Sequence, residues 1–176
     1  QLRLYKAEVD TVTGRAKGDY GGDADAFGEI LRTGITQNHG ISISGGSDQG
    51  SYRIGINYLN QEGIVKSNDL RRLSTNISGS YKFLPSKRLG LDFGLIASQT
   101  KENGPAVATN SDFRGSLIGN ALQWNPTDNL YNADTLVIRP NFGNFTNPVA
   151  LIEAYKDRVN TIDIIANISP SFKITD

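Results

Sequence analysis

The sequence predicts an all-β fold, an antiparallel segment of a transmembrane β-barrel with a long, partly helical extracellular loop. The first observation is alternation: in 51–61 and 72–84 every second residue is mostly apolar or aromatic, and the residues between are mostly Ser, Asn, Gly, Arg or Lys. The second is the length of such runs. The third is the regular exchange of short and long connections between them. Alternation with a polar second face is typical of barrel strands that face lipid on one side and a wet lumen on the other.

Five runs are predicted to be strands by this period of two. Most are about ten to thirteen residues long, close to the roughly 9–11 that a tilted strand needs to cross a bilayer. Strands of soluble proteins more often have about five or six residues. Pro170 weakens the end of the last run, because proline cannot donate a ladder hydrogen bond. The predicted strands are 35–46, 51–61, 72–84, 89–100 and 160–174.

The alternation also predicts which side chains share a face. Aromatic residues lie towards the ends of the apolar rows, where interfacial girdles belong. Arginine at Ile56 or Phe93 is expected to cost about 2–4 kcal/mol if that position lies near the bilayer midplane. The residues predicted to face lipid are Tyr52, Ile54, Ile56, Ile77, Leu91, Phe93 and Ile164, and those predicted to face the lumen are Asn57, Asn76, Asp92 and Asn167.

Connection lengths predict the orientation, because barrels of this type keep periplasmic turns short and extracellular loops long. SDQG and PSKR are short, whereas EGIVKSNDLRR and the segment between the fourth and fifth strands are longer. The predicted organisation is the end of an external loop with a short helix (1–34), four antiparallel barrel strands (35–100), a long extracellular loop with helices (101–159) and a further barrel strand (160–176).

Three helices are predicted outside the strands. The first lies in DADAFGEILRT, where it begins near Asp25 and ends at Gly34. A second has Ser111 or Asp112 as its cap, and Trp124 on its apolar face. A third begins at Asn147, followed by proline at the first helical position. Long loops with ordered helices are typical of functional segments.

Composition excludes several function classes. The 18 basic residues balance the 18 acidic ones without a basic stripe, so no nucleic-acid partner is expected. The chain has no cysteine and one histidine, His39, which is predicted to be an interfacial side chain at a strand end. Asp23 and Asp25 have the spacing of a calcium loop, but Gly34 stands where such a loop needs glutamate, so helix capping is favoured. No enzyme activity, catalytic residue, cofactor or metal is predicted.

The candidate contact residues lie in the long loop. Trp124 is the only tryptophan, and with Asn125 and Tyr131 it belongs to LQWNPTDNLY. Aromatic rings beside amides and carboxylates suit contacts with sugars, peptides or a partner protein. The alternative is that Trp124 packs its helix onto neighbouring segments. Tyr155 is a further, weaker candidate.

Longer stretches resemble a known family. FGEILRTGITQNHGISISGGSDQGSYRIGINYLNQEGIVKSNDLRRLSTNISGSYKF is similar to the early barrel of SusC/RagA-type TonB-dependent outer-membrane transporters of Bacteroidota. SLIGNALQWNPTDNLY and NPVALIEAYKDRVNTIDIIANISPSFKITD follow in the family's order, although Ala26-Phe27 stands where many relatives have Asp-Trp. The resemblance covers roughly 25–176 and does not extend to the plug.

The resemblance implies a function and partners. Such transporters have a plug and a 22-stranded barrel, and they import glycans or oligopeptides with a SusD-like surface lipoprotein as partner. Energy reaches them from the TonB complex, which contacts the N-terminal plug region. Five strands cannot close a barrel of that size, so the chain is expected to be part of a longer outer-membrane protein. Two alternatives stay open: a small outer-membrane β-barrel with a structural or adhesion role, and a soluble β-sandwich binding module.

Overall fold

The computed structural model describes residues 12, 14, 18–83, 88–105, 116–132, 141–142 and 145–174. These residues divide into two compact units. The sheet unit is drawn from Thr33–Ile64, Asn68–Gly104 and Asp157–Asp176, and the loop unit from Gln1–Arg32, Val65–Ser67 and Pro105–Lys156.

The sheet unit is one antiparallel sheet whose strands are neighbours in chain order. The prediction of four consecutive antiparallel strands followed by a fifth is therefore confirmed. The strands are β1 (Thr36–Ser47), β2 (Gly50–Glu62), β3 (Asp69–Phe83), β4 (Leu89–Gly104) and β7 (Asp157–Phe172). The last of these carries Pro170 opposite Leu91, on a strand that forms one edge of the described sheet.

Three strands extend beyond their predicted ends by three or four residues, all at the same end of the sheet. β3 begins at Asp69 instead of 72, β4 continues to Gly104 instead of 100, and β7 begins at Asp157 instead of 160. Their extensions pair with one another, Asp69 with Asn103 and Gly104 with Asp157. The alternation of apolar side chains ends before the backbone pairing does, so a hydrophobic pattern underestimates the strand length.

The connections within the sheet differ less in length than the sequence predicted, because β2–β3 (63–68) is only one residue longer than β3–β4 (84–88). β1 and β2 are joined by the turn at Asp48 and Gln49. The backbone carbonyl of Gln49 accepts a hydrogen bond from the Lys82 N–H at 2.7 Å. At the opposite end, Gly63 donates to the Asn68 carbonyl at 2.7 Å and closes the β2–β3 connection. The β3–β4 turn includes 84–87, which lie outside the described residues, and the β4–β7 connection is the long one.

The strand register places most of the apolar residues of the five strands on one face, here called the apolar face. Ile41 pairs with Ile56, Ile56 with Thr75, Thr75 with Ala97 and Ala97 with Ile164, and directly paired residues share a face. The other face, here called the polar face, carries Ser, Asn, Gly and charged residues in the equivalent rows. Every residue predicted to face lipid lies on the apolar face, and Asn57, Asn76, Asp92 and Asn167 lie on the polar face.

The described residues leave the apolar face exposed. Its isoleucines on the edge strands are about two-thirds exposed, as at Ile41 (67%) and Ile164 (67%). Every buried apolar side chain among the described residues belongs to the loop unit instead. A soluble β-sandwich would bury this face against a second sheet. The exposed apolar face therefore gives no support to the sandwich alternative.

Aromatic side chains lie at the end of the apolar face nearest the β1–β2 and β3–β4 connections. The ring of Phe93 lies over Gly79, where an added Cβ would come within 2.6 Å of it. Tyr81 and Phe83 stack edge to face with ring centroids 4.7 Å apart. Glycine at position 79 is thus required by the close approach of the neighbouring ring.

The described residues of the loop unit form three short helices and a small two-stranded sheet. The helices are α1 (Ala26–Ile30), α2 (Leu117–Gln123) and α3 (Pro148–Ala154), and Asn141–Phe142 (β5) pairs with Phe145–Thr146 (β6). No helix among the described residues is long and apolar enough to cross a membrane.

Each helix has a side-chain cap at its N-terminus. Asp25 accepts from the Gly28 N–H at 2.8 Å, which is the capping role predicted for DADAF, although the helix ends at Ile30 rather than near Gly34. Asn147 caps α3 as predicted and accepts from the Val149 N–H at 2.9 Å. The cap of α2 is Ser116, not Ser111 or Asp112, which lie outside the described residues.

Two apolar clusters hold the loop unit together. Ile30, Leu117 and Ala121 join α1 to α2, with Leu151 and Ile152 of α3 packed against them. The second cluster contains Trp124 and Leu130 and is described below with the candidate site. Full burial of these aliphatic and alanine side chains contributes several kcal/mol, so this cluster stabilises the packing of the helices.

Candidate binding site

The loop unit contains a surface pocket of about 360 Å³ that combines an aromatic ring with amides and carboxylates. Its wall comes from two segments about a hundred residues apart in sequence, the stretch leading into α1 and the stretch after Trp124. The lining residues are Asp23, Ala24, Asp25, Glu29, Asn129, Leu130, Tyr131 and Asn132.

Backbone hydrogen bonds hold the two segments side by side. The Gly22 N–H donates to the Thr127 carbonyl at 2.6 Å, and the Ala24 N–H donates to the Pro126 carbonyl at 2.7 Å. A Cβ at Gly22 would come within 2.5 Å of the Asn129 side-chain oxygen and 2.7 Å of the Thr127 carbonyl. Glycine at position 22 is therefore what allows the segments to approach closely enough to form the pocket.

Asn125 does not line the pocket, but it stabilises the turn that precedes the lining residues 129–132. Its amide Nδ2 donates to the Gly18 carbonyl at 2.7 Å, and its Oδ1 accepts from the Thr127 N–H at 3.1 Å. Both polar atoms of this predicted contact residue are thus used within the loop unit. The oxygen stabilises the 125–128 turn, and the nitrogen joins that turn to Gly18.

Trp124 lies in the second apolar cluster, with Ala26, Leu130 and Val149, and is 6% exposed. Its indole N–H donates to the Asp128 carbonyl at 2.9 Å. The geometry thus gives Trp124 a packing role. It packs with Leu130, which lines the pocket, and does not line the pocket itself. A direct contact of Trp124 with substrate or partner stays a prediction.

Tyr131 is the predicted contact residue that the structure places in the pocket. It is partly buried and packs against the Trp124 cluster. Burial raises the pKa of its phenol above the ordinary 10.0, and the negative charges of Glu29 and Glu153 raise it further, against the opposing effect of Lys66. The phenol is therefore protonated at neutral pH and available as a hydrogen-bond donor and acceptor.

Tyr155 is not brought to the pocket. It follows α3, where its backbone N–H donates to the Leu151 carbonyl at 2.9 Å, and its side chain is 45% exposed. Glu29, by contrast, lines the pocket and forms an ion pair with Lys66 at 3.2 Å. Sequence reasoning missed Glu29, Asn129 and Asn132, because no spacing rule joins residues that a loop brings together over such a separation.

Within the part of the chain that the structure describes, no three His, Cys, Asp or Glu side chains form a group that could hold a metal ion. Asp25 already uses a carboxylate oxygen to cap α1. His39 lies on the apolar face opposite Tyr58, near the end of β1, which is where the sequence placed it.

The polar face of the sheet carries one apolar pair that the alternation did not predict. Ile96 of β4 lies directly opposite Ile165 of β7, and the two are 50% and 66% exposed. The neighbouring positions in that row are Asn76, Gly55 and Ser42. The only sequence signal was an isoleucine at a polar position in each of two strands.

Known proteins similar to this chain include three receptors. The TonB-dependent receptor SusC of Bacteroides thetaiotaomicron is 25% identical over 193 aligned positions, which cover 96% of this chain and 18% of that receptor. The TonB-dependent receptor P3 of Formosa agariphila is 28% identical, over 84% of this chain and 15% of that receptor. The chain is similar to a segment of SusC-type TonB-dependent receptors. The TonB-dependent receptor P26 of Formosa agariphila is 32% identical, over 62% of this chain and 10% of that receptor.

These matches confirm the resemblance to SusC-type TonB-dependent receptors that the motifs indicated. TonB-dependent receptors are outer-membrane β-barrels, so the predicted localisation is confirmed, and they are receptors rather than enzymes. The chain spans less than a fifth of the length of the SusC-type receptors that it matches. No protein-family model matches the chain.

Proposed function

We propose that the chain is part of a TonB-dependent outer-membrane transporter that imports glycans or oligopeptides. In this proposal the apolar face contacts lipid, the polar face lines the lumen, and the long connections lie on the extracellular side. The observation that carries the proposal is the uncovered apolar face, because a sheet with such a face needs lipid or another protein to cover it.

The height of the apolar face supports the contact with lipid. Along β3 it extends from Leu73 to Phe83, ten residue steps, which is about 34 Å at about 3.4 Å per residue. A barrel strand tilted by about 40° projects this length to about 26 Å, and the apolar band of outer-membrane barrels is about 25 Å tall. Polar Asp69 and Arg71 come next on the same face. The band thus has the thickness of the hydrocarbon layer.

The pocket in the loop unit is the proposed contact site for the substrate or for a SusD-like lipoprotein. Tyr131 contributes an aromatic ring to the lining, and Asn129, Asn132, Asp23 and Glu29 contribute amide and carboxylate groups. Such groups donate to and accept from the hydroxyls of a sugar or the backbone of a peptide. Energy would come from the TonB complex, acting through the plug region that such transporters have.

Tyr131→Ala tests this site. We expect the substitution to raise the substrate concentration needed for half-maximal uptake by about tenfold, since an aromatic contact worth about 1–1.5 kcal/mol is lost. The measurement is uptake of labelled glycan or oligopeptide by cells that carry the complete protein, together with co-purification of the surface lipoprotein.

Tyr155→Ala is the matched control, because it removes the same ring from the same unit at a position outside the pocket. Equal uptake and equal lipoprotein recovery in the two variants, at equal levels in the outer membrane, would contradict a role for the pocket.

A further inference from the structure

The end of the apolar face towards the long connections carries a group of positive charges. Arg71 of β3 lies directly opposite Lys101 of β4, and Arg158 of β7 lies one row further out on the same face. All three are exposed, and none of them forms an ion pair with another described residue. Arg71 and Lys101, which share a row, are here called the cationic row.

The arrangement of the cationic row is unfavourable without an anion. Like charges directly opposite each other across two strands destabilise a sheet. The residues that flank Arg71 and Lys101 in their own row are the neutral amides Asn60 and Asn160. The carboxylates of this face, Glu62 and Asp69, lie one row further out and on the β2–β3 side. A bound anion would relieve the repulsion between the facing cations.

An apolar groove of about 510 Å³ begins just below these charges on the same face. Thr75 and Ala97 face each other and form its floor, because they are the small members of a row in which Ile56 lies on one side of them and Ile164 on the other. The lining residues are Ile56, Leu73, Thr75, Ala97, Ser98, Gln99, Ile162 and Ile164.

The opposite end of the apolar face has a different character. Its last row consists of Phe83, Leu89 and Phe172, without a charged residue. On the apolar face of the five described strands, arginine and lysine are therefore found only at the end with the long connections, which the proposed function places outside.

We propose that the cationic row and the groove form a binding site for a phosphorylated lipid of the outer leaflet. The inference rests on the proposed function, since it takes the apolar face to be in contact with lipid. The phosphate of the head group lies between Arg71 and Lys101, within reach of Arg158, and one acyl chain lies in the groove over Ala97. Arginine suits this role because its planar guanidinium binds phosphate with two hydrogen bonds.

The test is native mass spectrometry of the complete protein in nanodiscs of phosphatidylcholine, with and without added phosphorylated lipid A. We expect the wild-type protein to retain lipid A in preference to phosphatidylcholine. The double variant Arg71→Gln/Lys101→Gln is expected to bind it about 10- to 30-fold more weakly, because each basic residue near the membrane surface contributes to attraction of anionic lipid. The double variant Arg53→Gln/Lys82→Gln, which removes two positive charges from the polar face, is the charge-matched control and is expected to bind lipid A like the wild type.

A second pair of variants distinguishes a lipid from a free phosphate group. Ala97→Phe fills the groove and is expected to weaken lipid A retention, whereas Ala166→Phe adds the same ring to the apolar face outside the groove and is expected to leave it unchanged. Glycerol phosphate, which has no acyl chain, is not expected to compete with lipid A.

Unchanged retention in both the double variant and Ala97→Phe would overturn the lipid site while leaving the proposed function intact. The same holds if a protein, including a second copy of the chain, is found on this face in place of lipid A. A wild-type protein that stays outside the nanodisc would overturn the lipid site together with the proposed function.

Discussion

Ile54→Arg is expected to lower the stability of the folded barrel by about 2–4 kcal/mol. Ile54 lies on the apolar face about halfway along the apolar band, in the row with Ile77 and Leu95, so its side chain would be near the bilayer midplane. An arginine there must be accommodated in hydrocarbon. The measurement is the urea dependence of folding of the complete protein into lipid vesicles.

Ile96→Arg is the matched control for this substitution. Ile96 is exposed to a similar extent, 50% against 40% for Ile54, but it lies on the polar face. In a water-filled lumen the same arginine is expected to change stability by no more than about 0.5 kcal/mol. Similar small effects of both substitutions would mean that both faces contact water, which contradicts the barrel.

Asn147→Ala is expected to destabilise the loop unit by about 2–4 kcal/mol. Asn147 is fully buried, and it joins two segments because its Nδ2 donates to the Leu130 carbonyl at 2.8 Å while its Oδ1 caps α3. The substitution removes a helix cap and leaves a buried carbonyl without its partner, which cost about 0.5–2 and 1–3 kcal/mol respectively. Hydrogen exchange of the α3 amides would measure the loss.

Asn147→Ser serves as the graded comparison, because serine also caps helices but does not extend to the Leu130 carbonyl. About half of the destabilisation is expected to remain. Faster exchange in α3 of Asn147→Ala only, with Asn147→Ser like the wild type, would assign the whole effect to the cap. Unchanged exchange in both would contradict the structural role of Asn147.

The strands could be predicted from the sequence because each face of the sheet has one environment. The period of two then appears in every strand, from Ile41 and Ile43 in β1 to Ile162 and Ile164 in β7. The ends of the strands could not be predicted as well. Asp69, Asn103 and Asp157 pair through their backbones, which a polar side chain does not prevent, so the pattern stops before the ladder does.

The candidate site could be predicted only in part. Tyr131 could be predicted as a contact residue because it is an aromatic residue in a long polar loop, and the structure places it in a pocket. Asp23 and Asn129 come together through the backbone pairing of Gly22 with Thr127, a contact over about a hundred residues that leaves no periodic signal. Trp124 was selected for the same chemistry as Tyr131, but its side chain lies inside the cluster that supports the pocket.

Site-directed labelling most directly tests whether the apolar face contacts lipid and the polar face contacts water. This chain contains no cysteine, so single cysteines at Ile164 and Ile165 report without background from its own residues. The two positions are adjacent in β7, 67% and 66% exposed, and on opposite faces. In native outer membranes we predict that a charged, membrane-impermeant maleimide labels Ile165→Cys, and that only a lipid-soluble maleimide labels Ile164→Cys. Rapid labelling of Ile164→Cys by the charged reagent, in a protein that is folded and in the membrane fraction, would contradict a lipid-facing apolar face.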